Sequence, residues 1–174
     1  MYIDTHAHVN FKAFKDDADE VIKKSLEENT WMILVGSDYK TSKRALELAN
    51  KYDKGVYAAI GLHPIHTHES EAKGEDYRFK THSEEFVYDI YEKLAKFQKV
   101  VAIGEIGLDY YHINNNEAQS AKKKQKEIFL RQLELARKLN LPAIIHCRQA
   151  HDDTYAALKE FRKENRDLFP QNAP

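Results

Sequence analysis

The sequence predicts an α/β fold: a parallel sheet of about five strands covered by helices. Three observations carry this expectation. Short apolar runs of four or five residues alternate along the chain with amphipathic helical stretches. Most of those runs are apolar at consecutive positions, as strands covered on both faces are, and lack the strict alternation of a half-exposed sheet. Three of them end in a histidine or run into a carboxylate, at the end where a parallel barrel gathers its active site.

The elements follow in order. The first strand is Tyr2-Ile3-Asp4-Thr5-His6. Ala18, Val21, Ile22, Ser25 and Leu26 then share one face of a first helix. Trp31 to Val35 is the second strand. Ala45, Leu48, Ala49 and Tyr52 line a second helix, with Thr41 or Ser42 suited to cap it. Val56 to Ile60 is the third strand. Residues 64–82 are polar, with Gly74, three histidines and several acids, and read as a long surface loop. Phe86, Val87, Ile90, Tyr91, Leu94 and Phe97 line a third helix, capped by Ser83 with Glu84 and Glu85 in its first turn. Val100 to Ile103 is the fourth strand. Phe129, Leu133, Ala136 and Leu139 line the fourth helix, and Ala143 to His146 is the fifth strand. A fifth helix is predicted from about Asp152 to Arg166, with Tyr155, Leu158 and Phe161 inward. Residues 1–167 form one partial barrel unit on this reading, and residues 168–174 an irregular tail.

A chain of 174 residues, 42% hydrophobic and 32% charged, has the balance of a globular domain with its own core. No apolar run approaches the ~20 residues of a membrane helix. The start, MYIDTHAHVN, lacks the basic and apolar regions of a signal peptide, and the single Cys147 excludes an internal disulfide framework. A cytoplasmic location is the expectation, with no membrane partner. The net charge of −1 offers no global basic footprint, so contact with nucleic acid must come from local groups or a metal. The run Lys122, Lys123, Lys124 and Lys126 reads as a solvated helix start.

The strand ends carry the chemistry. In Asp4-Thr5-His6-Ala7-His8, side chains two apart on a strand point the same way, so His6 and His8 can grip one ion. Imidazole is a good ligand for zinc and similar divalent metals, although two surface histidines also arise by chance. The fourth strand runs into Gly104-Glu105-Ile106-Gly107, a carboxylate flanked by glycines that leave the backbone room. The fifth ends in His146-Cys147-Arg148. If the strands are parallel, His6, His8, Glu105 and His146 converge on one face. His63, in Gly61-Leu62-His63-Pro64, reaches the same face as a substrate contact or a structural residue. Arg148 is a candidate for binding phosphate, or for an ion pair with Asp152. His66 and His68, in the polar segment, are expected outside the cluster, and Cys147 is expected to pack.

Together, Asp4-Thr5-His6-Ala7-His8, Gly61-Leu62-His63-Pro64, Gly104-Glu105-Ile106-Gly107-Leu108-Asp109-Tyr110 and His146-Cys147-Arg148 resemble the successive signatures of the TatD family. The helix from Gln125 to Pro142, with Phe129, Gln132, Leu133, Ala136 and Leu141, is similar to the family's lead into the fifth strand. The resemblance spans nearly the whole chain. It implies a TIM-type (β/α)8 barrel of the amidohydrolase type, here truncated to about five parallel strands with their helices, that cleaves phosphodiester bonds in DNA with two divalent ions of zinc, magnesium or manganese. It further implies that His6 and His8 bind one ion, that Glu105 bridges both and serves catalysis, and that His146 binds the second.

Two ligands of the family pattern, a histidine ending the sixth strand and an aspartate ending the eighth, have no counterpart here; His151 falls at a helix start. Five strands of a barrel are expected to leave the first and fifth as open edges, inviting self-association or a complementing chain. DNA hydrolysis by these residues alone is expected to be poor. The alternatives are a deacylase of D-aminoacyl-tRNA or another amidohydrolase-type ester or amide hydrolase, and, of another class, a non-catalytic assembly module. A PHP-type phosphoesterase also opens with His-x-His, but the Gly104-to-Tyr110 stretch favours the TatD resemblance.

Overall fold

The structure, a computed structural model, describes residues 1–68, 70–73, 78–113 and 118–165. The five apolar runs form a single parallel sheet of β1 (Tyr2–Ala7), β2 (Thr30–Val35), β3 (Val56–Ile60), β6 (Val100–Asp109) and β7 (Ala143–Arg148), ordered β1-β2-β3-β6-β7. Helices α1 (Ala18–Glu27), α2 (Tyr39–Ala49), α3 (Tyr88–Ala95), α4 (Ala118–Leu139) and α5 (His151–Glu164) accompany them, in the strand–helix alternation of a (β/α)8 barrel. Successive strand residues point to opposite faces. Leu34, Ala58, Ile60 and Ile103 accordingly join the main core with Ile22, Ala45, Phe129 and Leu133 of the helices, and Leu108 joins them beyond the register shift between Ile103 and Ile106. Val35, Ala59 and Ala102 form a small second cluster, flanked by Ile33 and Ile144. β1 and β7 are the two edges, and Tyr2, Ile3 and Ile145 are exposed there.

Several elements differ from the sequence expectation, each for a local reason. Asp38, not Thr41 or Ser42, caps α2: its Oδ1 accepts the Thr41 N–H at 2.7 Å, while Thr41 Oγ1 accepts the Asp38 N–H at 3.0 Å. α3 begins at Tyr88, because Glu84 turns back to accept the Tyr39 N–H and the Tyr91 hydroxyl. Phe86 and Tyr91 are buried as expected, whereas Val87, Ile90 and Phe97 are exposed. Tyr155 is likewise exposed on α5, which buries Thr154 and Ala157 instead, with Leu158 and Phe161 against the core.

The segment 64–82 is not a plain surface loop. Pro64–His66 is a buried 3-10 turn, and β4 (Ser70–Lys73) pairs antiparallel with β5 (Arg78–Thr81). β6 runs ten residues instead of four, so Glu105 lies within the strand. Glycines allow this close pairing: a Cβ at Gly104 would fall 2.6 Å from the Cβ of Ile144, and one at Gly107 would overlap the carbonyl of His146. Gly74, the end of the fifth helix at Arg166 and the tail 168–174 lie outside the described residues. No helix among the described residues is long and apolar enough to cross a membrane.

Candidate metal centre

Four strand ends meet around Glu105. Its N–H donates to the Gly36 carbonyl at 3.0 Å, tying β6 to the residue that follows β2. The two carboxylate oxygens then face different partners. Oε2 lies 3.2 Å from His6 Nε2, and Oε1 lies 3.0 Å from His146 Nδ1 and 3.9 Å from His63 Nε2. Donor atoms of His6, His8 and Glu105 fall within 4.8 Å of one another, as do those of His63, Glu105 and His146. Two groups of metal-type donors thus share one carboxylate, with a separate oxygen turned to each.

Hydrogen bonds set which ring nitrogens are free. His8 Nδ1 lies 3.1 Å from the Val35 carbonyl, which only accepts, so Nδ1 carries the proton and Nε2 keeps its lone pair. His63 is the opposite case. Its Nδ1 accepts the Ile65 N–H at 3.1 Å, leaving Nε2 as a donor aimed towards Glu105. While that bond holds, a neutral His63 offers a hydrogen bond, not a metal ligand. His146 lies between two carboxylates, Nδ1 on Glu105 and Nε2 on Asp109 Oδ2 at 3.1 Å.

Burial works against charge throughout the cluster, and neighbours decide the outcome. Burial pushes His8 down, and it takes His63, with His146 adding to the effect, to about 3. Burial also opposes ionisation of Glu105 and Asp109, but the hydrogen bonds from His146 prevail, helped by His63 for Glu105 and by His112 for Asp109. Both carboxyls are held at about 2. Against the same cost of burial, Asp109 and Glu105 raise His146 to about 9. An imidazolium bound by two carboxylates is therefore the metal-free form of this corner.

The other named residues divide. Arg148 is exposed, its guanidinium 3.9 Å above the Tyr111 ring. His66 and His68 belong to neither donor group. His66 is buried, with Nδ1 at 3.3 Å from the His82 carbonyl, and His68 Nε2 lies 3.4 Å from the His112 carbonyl. Cys147 packs against the core and accepts the Thr154 hydroxyl at 3.3 Å.

Three further residues, which stand in the family-like stretches with no role assigned to them from the sequence, hold the site in place. Asp109 is almost wholly buried, and its Oδ2 also lies 2.9 Å from His112 Nδ1. Its position, four residues after Glu105, keeps it on the same strand face, a signal the period of two makes available. From α4, Gln132 accepts the Leu62 N–H at 2.7 Å and donates to the Leu62 carbonyl at 2.9 Å. Gln125 does the same for Asp109, accepting its N–H and donating to its carbonyl, each at 2.9 Å. Polar residues on the inward stripe of a helix need buried partners, and here the partners are the backbone of Leu62, just past β3 and before His63, and that of Asp109 at the end of β6.

Comparison with known proteins agrees with this geometry. The family model described as TatD related DNase matches residues 3–169. A protein of Bacillus subtilis named as the uncharacterized metal-dependent hydrolase YabD is 40% identical over 92% of this chain and 56% of its own length. The 3'-5' ssDNA/RNA exonuclease TatD of Pantoea ananatis is 33% identical over 84% of this chain and 50% of its own. The crystal structure of YjjV, a TatD homolog from Escherichia coli K12, superposes with a TM-score of 0.71 at 29% identity, covering 92% of this chain and 56% of that one. The chain thus spans about half the length of the relatives it matches.

Proposed function

The chain belongs to the family of TatD-related DNases, and on that premise we propose that it carries the first part of a metal-dependent nuclease centre acting on phosphodiester bonds in DNA. The observation that carries this reading is the division of Glu105, one oxygen towards His6 and the other towards His146. His6, His8 and Glu105 would hold one divalent ion; Glu105 and His146 would contribute to a second. The donor set fits: the free Nε2 of His8, and a carboxylate with one oxygen turned to each donor group, would suit zinc or manganese. Bound ions would supply positive charge at the scissile phosphate and lower the pKa of a water molecule.

Other residues of the chain orient these ligands and face the same space. Asp109 accepts Nε2–H of His146 and so points the lone pair of Nδ1 inward. His63 presents Nε2–H to the same space, a donor for a phosphate oxygen or for Glu105. Arg148, at the end of β7, would meet the substrate backbone beside Tyr111. The exposed edges β1 and β7 are where further strands of such a barrel, or a complementing chain, would pair.

The test is cleavage of labelled single-stranded DNA by the protein that carries this chain, with zinc, manganese or magnesium, against Glu105→Ala. Metal-dependent cleavage lost in the variant is expected. Hydrolysis of a D-aminoacyl ester without DNA cleavage would move the reading to an esterase. Inertness towards both, with every ion tried, would leave a non-catalytic module.

A further inference from the structure

A second group of donors lies outside the Glu105 centre. Asp38, His82 and Glu84 each place one ligand-type atom within 4.8 Å of the other two. Asp38 and Glu84 also serve the N-terminus of α2, so the alternative to an ion is a helix cap with a histidine beside it. The way each carboxylate is used separates the two. Asp38 makes its capping bonds to Thr41 through Oδ1 alone, at 2.7 and 2.5 Å. Its Oδ2 is turned to His82 Nε2 at 3.4 Å, although the Asp38 side chain is only 7% exposed. A cap does not require that second oxygen to face an imidazole. Glu84 takes the Tyr91 hydroxyl on Oε1 at 2.6 Å and holds the Tyr39 N–H at 3.2 Å from both oxygens, which leaves lone-pair capacity on Oε2.

Access and preorganisation complete the case. The side chain of His82 is 62% exposed, so an ion reaches the group directly from solvent. His66 fixes the approach: its Nδ1 donates to the His82 carbonyl at 3.3 Å, and its ring lies 4.8 Å from that of His82. The flanking chain is the excursion that carries β4 and β5, which leaves the 3-10 turn at His66 and returns at His82.

We propose that Asp38, His82 and Glu84 form a separate binding site for a zinc-like divalent cation, which clips the returning end of the β4–β5 excursion to the N-terminus of α2. Two carboxylates supply the charge, and the imidazole selects zinc-class ions over magnesium or calcium. Three protein ligands leave one position for water. The site adjoins the Glu105 centre through the backbone, because the Ser37 carbonyl accepts the His63 N–H at 2.8 Å. Occupation would therefore stiffen the seat of His63. This inference does not depend on what the Glu105 centre hydrolyses.

Equilibrium dialysis with metal analysis tests it on the chain, on His82→Ala, and on a variant whose other cluster is disarmed by His6→Ala, His8→Ala and His146→Ala. The disarmed variant should keep one zinc per chain, and adding His82→Ala should weaken that ion by about 100-fold or more. His82→Ala alone should remove one zinc from the parent stoichiometry, and excess magnesium should not compete. The proposal is overturned if His82→Ala binds as much zinc as the parent with equal affinity, or if a disarmed variant that circular dichroism shows to be folded binds none. If the disarmed variant does not fold, the comparison of His82→Ala with the parent decides alone, because that exposed position tolerates alanine. Glu84→Gln, which keeps the size of the side chain, should match His82→Ala.

Discussion

Replacing Gln132 by methionine should destabilise the chain by about 2–4 kcal/mol. Both backbone groups of Leu62 depend on this one amide: its carbonyl oxygen takes the N–H and its NH2 binds the C=O. Leu62 is fully buried and Gln132 is 1% exposed, so water cannot substitute for the lost partner. Methionine fills a similar volume without a polar end. Each buried group left unpaired costs ~1–3 kcal/mol, which gives ~2–6 kcal/mol for the pair. Removing the buried amide itself returns part of that, hence the lower half of the range.

Urea unfolding reads the effect as a fall in midpoint with an unchanged slope. A similar loss should follow Gln125→Met, which strips the N–H and C=O of Asp109. The two glutamines are seven residues apart on α4, ~10 Å at ~1.5 Å per residue, and serve different strands. Their losses should therefore add to within ~0.5 kcal/mol. A cost below ~1 kcal/mol for either variant, or a double variant no worse than one single, would refute the argument that these amides act as the missing partners of two strand ends.

Three further outcomes bear on the metal centre. Glu105→Gln, isosteric but uncharged, should weaken zinc binding at His6, His8 and His146 by about 100-fold or more in calorimetric titration, and near-parental affinity would count against a bridging role. In the metal-free chain His146 holds its proton up to about 9, and an ion on Nδ1 must displace it. Affinity should thus rise with pH, by up to ~10-fold per unit from neutrality, and level off above about 9. Calorimetry in buffers of different ionisation enthalpy should show a proton released per ion at this corner; none would contradict the sign. Asp109→Asn should lower the His146 pKa from about 9 towards its ordinary value, as followed by the imidazole resonances in a pH titration, and an unmoved midpoint would remove Asp109 as the orienting partner.

Much of the arrangement was legible in the sequence because it follows from periodicity. Val56 to Ile60 and Ala143 to His146 are apolar runs of strand length, and the structure has them as parallel neighbours of β6. Once the strands are parallel, His6, Glu105, His63 and His146 must meet at one end of the sheet. What stayed hidden depended on partners remote in sequence. Asp38 caps α2 while Thr41 answers it, and the choice of cap residue turns on φ and ψ at one position that propensity does not fix. Glu84 looked like the first turn of a helix, yet it is drawn 45 residues away to the N-terminus of α2. The tautomers of His8 and His63 rest on the Val35 carbonyl and the Ile65 N–H, contacts no spacing rule contains.

The charge balance of the site leads to a last expectation, about the order in which its ligands bind. The chain is nearly neutral overall, at −1, while the proposed substrate is a polyanion. Of four groups in this corner, Glu105 and Asp109 are ionised, His146 is an imidazolium and His63 is neutral before metal binds. The corner is then negative by one unit and repels phosphate. A single divalent ion that displaces the His146 proton brings the same groups to neutrality, and a second makes them positive. Phosphate contact at Glu105 should therefore follow metal binding and not precede it. Fluorescence anisotropy of a labelled single strand, measured with a chelator and then with added zinc or manganese at constant ionic strength, reads this directly. Binding should strengthen by at least ~10-fold with metal, and the gain should vanish in Glu105→Gln, where the ions are lost. Equal affinity with and without metal would mean that nucleic acid is held elsewhere, by surface cations such as Lys122 and Lys126 on α4, and that the Glu105 centre is not where the backbone is gripped.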